Sequence, residues 1–162
     1  FNHESPRRGE TFVTQKIVQA MCKIKNNQQK TLYLGNLYSK RDWGHAKDYV
    51  EAMWLMLKQK KPQDFVIATG KQYTVKSFIN NVAKKLDMKI LWKGKGINEK
   101  GIDQKGRVIV ACSKVYYRPL EVNSLLGDAR RARKLLKWHP KKNLDHLIED
   151  MIEAEMDKIS YS

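Results

Sequence analysis

The stretch TLYLGNLYSKRDWGHAKDYVEAMWLMLKQ, residues 31–59, decides the fold class. Thr31 to Leu34 form a short apolar run closed by the turn pair Gly35-Asn36, which predicts a strand. From His45 to about Gln59, Tyr49, Val50, Met53, Trp54 and Leu57 recur at helical spacing and predict a helix with one apolar face. Arg41 and Asp42 then stand at the lip of a strand-loop-helix connection, where α/β proteins place binding groups.

The same alternation continues on both sides. Upstream, Phe12, Val13, Ile17, Ala20, Met21 and Ile24 predict a helix from Thr11 to about Asn26. Downstream, DFVIAT (64–69) is apolar nearly throughout and predicts a strand covered on both faces, as in a parallel sheet. Thr74 is the expected N-cap of a helix whose stripe is Val75, Phe78, Ile79, Val82 and Leu86. Strands are expected at Ile90–Trp92 and Val108–Ala111, with the Gly- and Lys-rich residues 93–105 a loop between them. Asp128 is expected to cap a helix through Leu136, and Asn143 to cap the last, which buries Leu144, Leu147, Ile148, Met151 and Ile152. Strands alternating with helices define an α/β fold.

Composition narrows the function. The 162 residues allow one compact domain, and 41% hydrophobic content is ordinary for a globular chain. No apolar run approaches the roughly 18 residues of a membrane span, and no signal peptide opens the chain. Cys22 and Cys112 lie far apart and the four histidines are scattered, which argues against a metal site and fits two thiols in a reducing cytoplasm. Thirty-two Lys+Arg against 17 Asp+Glu give a net charge of +15, which favours a polyanion or a phosphorylated small molecule as partner. The basic residues fall mostly on the polar faces of predicted helices, where the plain reading is a solvated surface. A nucleic-acid module would need aromatics interleaved with those charges, whereas Trp43, Tyr49, Trp54 and Phe78 fall mostly on expected core faces.

Three segments concentrate polar chemistry. FNHESPRRG (1–9) packs Asn2, His3, Glu4, Arg7 and Arg8 around Pro6 and Gly9, and guanidiniums fork onto phosphate oxygens. The plain alternative is a polar surface turn. KRDWGH (40–45) carries Arg41 and Asp42; the alternative is that Asp42 caps the helix and Trp43 packs. In YYRPLEV (116–122) Pro119 stiffens the backbone beyond Arg118, a suitable diphosphate ligand, and Glu121 can accept from sugar hydroxyls or a guanine edge. There the alternative is a surface ion pair of little consequence.

Taken together, FNHESPRRG, LYLGNLYSKRDWGHAKDYVEAMWLML, DFVIATG and YYRPLEV resemble the extended short-chain dehydrogenase/reductase family of nucleotide-sugar enzymes, and within it the GDP-mannose 4,6-dehydratases. The closing pattern LLGDARRARKLLKWHP and the helix after it are similar to the general ending of that family. The resemblance implies the C-terminal part of such a protein: the last Rossmann elements, about residues 42–70, plus a small α/β substrate-binding domain. It implies NADP contacts for His3 and Arg8, and nucleotide-sugar contacts for Asn2, Val13, Lys16, Gly35, Asn36, Arg41, Arg118 and Glu121. The implied substrate is GDP-mannose, and the implied reaction an internal redox cycle. Hydride leaves C4 of the mannose for NADP, water leaves across C5 and C6, and hydride returns to C6. The product is GDP-4-dehydro-6-deoxy-mannose, a precursor of GDP-fucose.

The family's Gly-rich loop and Tyr-x-x-x-Lys pair have no counterpart here, since no tyrosine has a lysine four residues on. The chain is therefore expected to begin partway through such an enzyme. It would bind the nucleotide sugar without turning it over, and would work with an N-terminal Rossmann portion in a homo-oligomer. Leu120, where R-P-T-E-V has threonine, and Leu136-Lys137-Trp138, where L-G-W is common, depart from the pattern. Another nucleotide-sugar epimerase or dehydratase is the alternative.

Overall fold

The computed structural model describes residues 1–117 and 122–161. In chain order the elements are β1 (Asn2–Glu4), α1 (Val13–Lys25), β2 (Leu32–Leu34), β3 (Lys40–Arg41), β4 (Trp43–His45), α2 (Ala46–Leu57), β5 (Tyr73–Thr74), α3 (Val75–Lys85), β6 (Leu91–Lys93), β7 (Lys100–Ile102), β8 (Val108–Cys112), α4 (Arg130–Leu135) and α5 (Leu144–Ser160).

Two caps fall where the sequence puts them. Thr74 accepts from Ser77 N–H, and Asn143 accepts from His146 N–H, each relieving one unpaired donor of a first turn. The stripes of α1, α3 and α5 close on one another and on a four-stranded sheet of order β2-β8-β7-β6. Ile17, Met21, Phe78, Ile79, Val82, Leu147 and Ile148 are wholly buried there, each burial contributing about 1.5–3 kcal/mol. β2 and β8 run parallel, and the other two pairings are antiparallel. A parallel pair, β1-β4, and an antiparallel pair, β3-β5, stand beside this sheet.

A second, smaller core holds Tyr49, Ala52, Ile67, Ala68, Ala132, Leu136 and Trp138. The Trp138 indole donates to Asp48 O at 2.8 Å, and the Asp48 carboxylate accepts from Lys141 N–H and Lys142 N–H.

Four expectations need correction. Residues 64–69 pair with no strand among the described residues; Ile67 O accepts only from the Phe1 amino group, at 3.1 Å, because the ladder such a segment needs is not offered. Residues 93–105 are not all loop: Lys100-Gly101-Ile102 is an inner strand of the main sheet. A Cβ at Gly101 would lie 2.9 Å from Ile90, so this glycine marks a close approach and not a turn. The residue flanking α4 is Ala129, although the Asp128 carboxylate still accepts from Arg130 N–H. On α2, Val50, Met53, Trp54 and Leu57 face outward, Leu57 being 81% exposed, while the second core takes Tyr49 and Ala52.

Among the described residues no helix is long and apolar enough to cross a membrane, and no group of three His, Cys, Asp or Glu is placed to hold a metal ion.

Candidate functional site

The parallel strands β2 and β8 end side by side, with Ser113 N–H donating to Leu34 O at 2.8 Å. Beyond these carboxyl ends, where open α/β sheets bind ligands, lies a cavity of about 490 Å³. Five stretches wall it: Asn2 from β1; Thr11, Phe12, Val13 and Lys16 around the start of α1; Leu34 to Arg41 in part; Val75 at the head of α3; and Tyr116 beyond β8. Asn2, Val13, Lys16, Gly35, Asn36 and Arg41, for which the family resemblance implies nucleotide-sugar contacts, all line it. Arg118 and Glu121 lie outside the described residues; of their neighbours, Tyr116 lines the cavity and Val122 O accepts from Arg41.

The electrostatics of this wall favour an anion. Lys16 and Arg41 line it, and no carboxylate does so among the described residues. Helix α1 opens onto it with no acidic residue in the first turn and no side-chain cap, so the positive end of its dipole is unopposed. The Lys16 ammonium lies 3.6 Å from the centroid of the Tyr116 ring, which holds the cation at the rim. Arg41 Nη1 donates to Val122 O at 2.7 Å and Lys40 O at 2.9 Å, fixing the guanidinium against the backbone. Asn36 Oδ1 accepts from Tyr38 N–H and shapes the turn. Gly35 has no room for a side chain, because its Cβ would lie 2.2 Å from Tyr116 O.

Asp42, beside Arg41, is a buried latch. It accepts from Thr69 N–H (2.9 Å), Thr69 Oγ1 (2.6 Å), Gly70 N–H (2.9 Å) and Gly127 N–H (3.4 Å), tying the site strand to two distant loops. Glu99 is a second tie. Its buried carboxylate accepts from Lys76 Nζ at 2.5 Å and Tyr38 Oη at 3.0 Å, so the 93–105 segment is fastened under the 35–39 turn.

His3 and Arg8 do not line the cavity. The His3 ring stacks on Tyr49 at 5.0 Å, and Arg8 lies 3.4 Å over the Phe12 ring with Nε 3.0 Å from Glu4 Oε2. His3 lies in β1 and Arg8 on the turn after it, and the described residues offer no Gly-rich strand-helix turn to cradle a dinucleotide's pyrophosphate. Sequence reasoning missed Thr11, Phe12, Leu34, Ser39, Val75 and Tyr116 as wall residues, since none carries a charge.

A larger cavity, about 900 Å³, lies between the opening loop, the head of α2 and α5. Arg7, Lys47 and Lys142 are matched there by Asp150, Glu153 and Asp157, so it lacks the one-signed character of the first. His45 lies on its floor, caps α2 by accepting from Lys47 N–H, and donates from Nε2 to Asp150. Burial pulls the His45 pKa below its ordinary value of 6.5, outweighing the Asp150 hydrogen bond. The unfolded state then binds more protons, so the stability His45 confers is present above pH 6.5 and is lost as pH falls below it. His45→Asn should flatten the fall in unfolding free energy between about pH 7.5 and about pH 5. Urea titrations at both values would show it; parallel losses in the two proteins would remove His45 as the cause.

The fold is that of the C-terminal part of an extended short-chain dehydrogenase/reductase. A solved structure of RMD from Pseudomonas aeruginosa complexed with NADPH matches with a TM-score of 0.79 at 15% identity, over 98% of this chain and 47% of that one. dTDP-glucose 4,6-dehydratase from Bacillus anthracis in complex with NAD matches with a TM-score of 0.71 at 14% identity, over 99% and 44%. At such identities the likeness shows the fold alone. The family is shown by sequence: the profile of GDP-mannose 4,6 dehydratase matches residues 1–151, and the chain belongs to that family. It is 51% identical over 156 residues to GDP-mannose 4,6 dehydratase 2 of Caenorhabditis elegans, covering 96% of this chain and 41% of the relative. It is 48% identical over 158 residues to GDP-mannose 4,6 dehydratase of Homo sapiens, covering 97% and 42%. The chain thus spans less than half the length of these relatives.

Proposed function

We propose that the 490 Å³ cavity binds the nucleotide end of GDP-mannose, and that this chain is the substrate-binding part of a cytoplasmic GDP-mannose 4,6-dehydratase. One observation carries the reading: six residues from three separate stretches, assigned to the nucleotide sugar by family resemblance, gather in a single cation-lined cavity. Lys16, the head of α1 and Arg41 would neutralise the diphosphate, with Arg118 completing the set and Glu121 accepting from the guanine edge or sugar hydroxyls. Asn2 and Asn36 would orient polar groups, and Val13 and Gly35 would give the flat base a smooth wall. His3 and Arg8 would meet NADP along one edge. When bound, NADP supplies hydride transfer, the chemistry no side chain can carry. The proton-abstracting Tyr/Lys pair and the cofactor's cradle would come from a Rossmann portion, to which residues 42–70 belong by this reading. The whole enzyme would act as a homo-oligomer.

Calorimetric titration of the chain with GDP, UDP and dTDP tests this. GDP should bind most tightly, and Arg41→Ala should weaken it by roughly 10- to 100-fold, the loss of a charge-assisted contact of about 1.5–3 kcal/mol. Lys134→Ala, on an exposed face, should leave binding unchanged. Equal affinity for all three nucleotides would favour the alternative of another nucleotide-sugar enzyme.

A further inference from the structure

Ser39 is the one wall residue whose polar group is both buried and unsatisfied. The residue is 1% exposed, it lines the cavity, and its hydroxyl has no hydrogen-bond partner among the described residues. A buried hydroxyl left unpaired costs free energy, so its place in this wall needs a reason. Its backbone gives none of that reason away: Ser39 O accepts from Val75 N–H at 3.2 Å, and the next residue, Lys40, pairs with Thr74 across β3-β5. The main chain would be held equally well with alanine there.

The register supplies the rest. Along an extended segment alternate residues share a face. Ser39 and Arg41 both line the cavity, while Lys40 between them is exposed. The hydroxyl therefore stands about 6–7 Å along the chain from the Arg41 position, on the same wall. Serine has three staggered χ1 positions, so its oxygen can turn toward an entering ligand while Cβ stays in the wall.

We infer that the Ser39 hydroxyl is a nucleotide-binding group of this cavity, unpaired in the free protein and paired when a guanosine diphosphate occupies it. This rests on the proposed function, and it makes a prediction of opposite signs. Ser39→Ala should raise the thermal midpoint of the ligand-free chain by about 2–4 °C, because an unpaired buried hydroxyl is removed. The same change should weaken GDP about tenfold, because a hydrogen bond made only with ligand is lost. Ser39→Cys, which keeps the shape with a poorer hydrogen-bonding atom, should fall between on both measures. A purely structural serine would lose stability and affinity together, and that result would overturn the inference. Unchanged GDP affinity in a folded Ser39→Ala chain would overturn it too, while leaving the nucleotide reading intact. Failure of the unmutated chain to bind GDP would instead defeat both, and the two failures are told apart by the parent protein alone.

Discussion

Replacing Asp42 with alanine should lower the unfolding free energy by about 3–5 kcal/mol, the largest effect of any single polar substitution here. The carboxylate is buried, and it is the acceptor for three backbone N–H groups and one hydroxyl. Removing it strands those donors, each unpaired one costing about 1–3 kcal/mol. Asp42→Asn should cost less, since one oxygen still accepts while the new amide faces the remaining donors. Because Arg41 immediately precedes the latch, nucleotide binding should weaken in step with stability, the opposite of the Ser39→Ala pattern. Chemical denaturation of the two Asp42 variants would check this. A loss below about 1 kcal/mol in Asp42→Ala would show that the latch holds little.

The second large effect concerns association. Val50, Met53, Trp54 and Leu57 give α2 a contiguous apolar face left open to solvent among the described residues, with Trp54 57% and Val50 64% exposed. Residues 64–69 likewise present backbone with no ladder to join. Such surfaces seek cover. The purified chain should therefore self-associate in sedimentation experiments, despite its charge of +15. Trp54→Lys combined with Leu57→Asp should return it to a monomer, because both side chains are exposed and their loss leaves no cavity. A monodisperse parent chain with cooperative unfolding would show that the chain closes its own core, and the assignment of 42–70 to a Rossmann portion would fail with it.

Periodicity exposed the helices almost completely. Val75, Phe78, Ile79 and Val82 share one buried stripe on α3, and Leu144, Leu147, Ile148 and Met151 share another on α5. On α2 it marked a face that stays exposed, because an apolar face declares what it would bury and not whether a partner stands within the chain. Strand β4 and its pairing with β1 went unseen for another reason: three residues carry no alternation to detect, and the partner lies some 40 positions away. Gly101 misled by its ordinary association with turns, whereas here it lets Ile90 and Val110 close over a strand. In the site, the family resemblance pointed to Lys16, Asn36 and Arg41, but Ser39 became legible only when its burial and its missing partner were seen together.

The parallel pairing of β2 with β8 has a temporal side. Thr31 and Val108, bonded at 2.7 Å beside that pair, stand 77 positions apart. During synthesis at about 5–20 residues per second, Leu32–Leu34 would wait roughly 4–15 s before its partner strand exists. Neither α3 nor α5, which close the core over α1, is available when α1 emerges. The nascent chain thus passes through an interval in which this strand and a helix with six core positions lack the later elements that cover them in the fold. The site inherits this lateness, since its Leu34 and Tyr116 walls become neighbours only when that pairing closes.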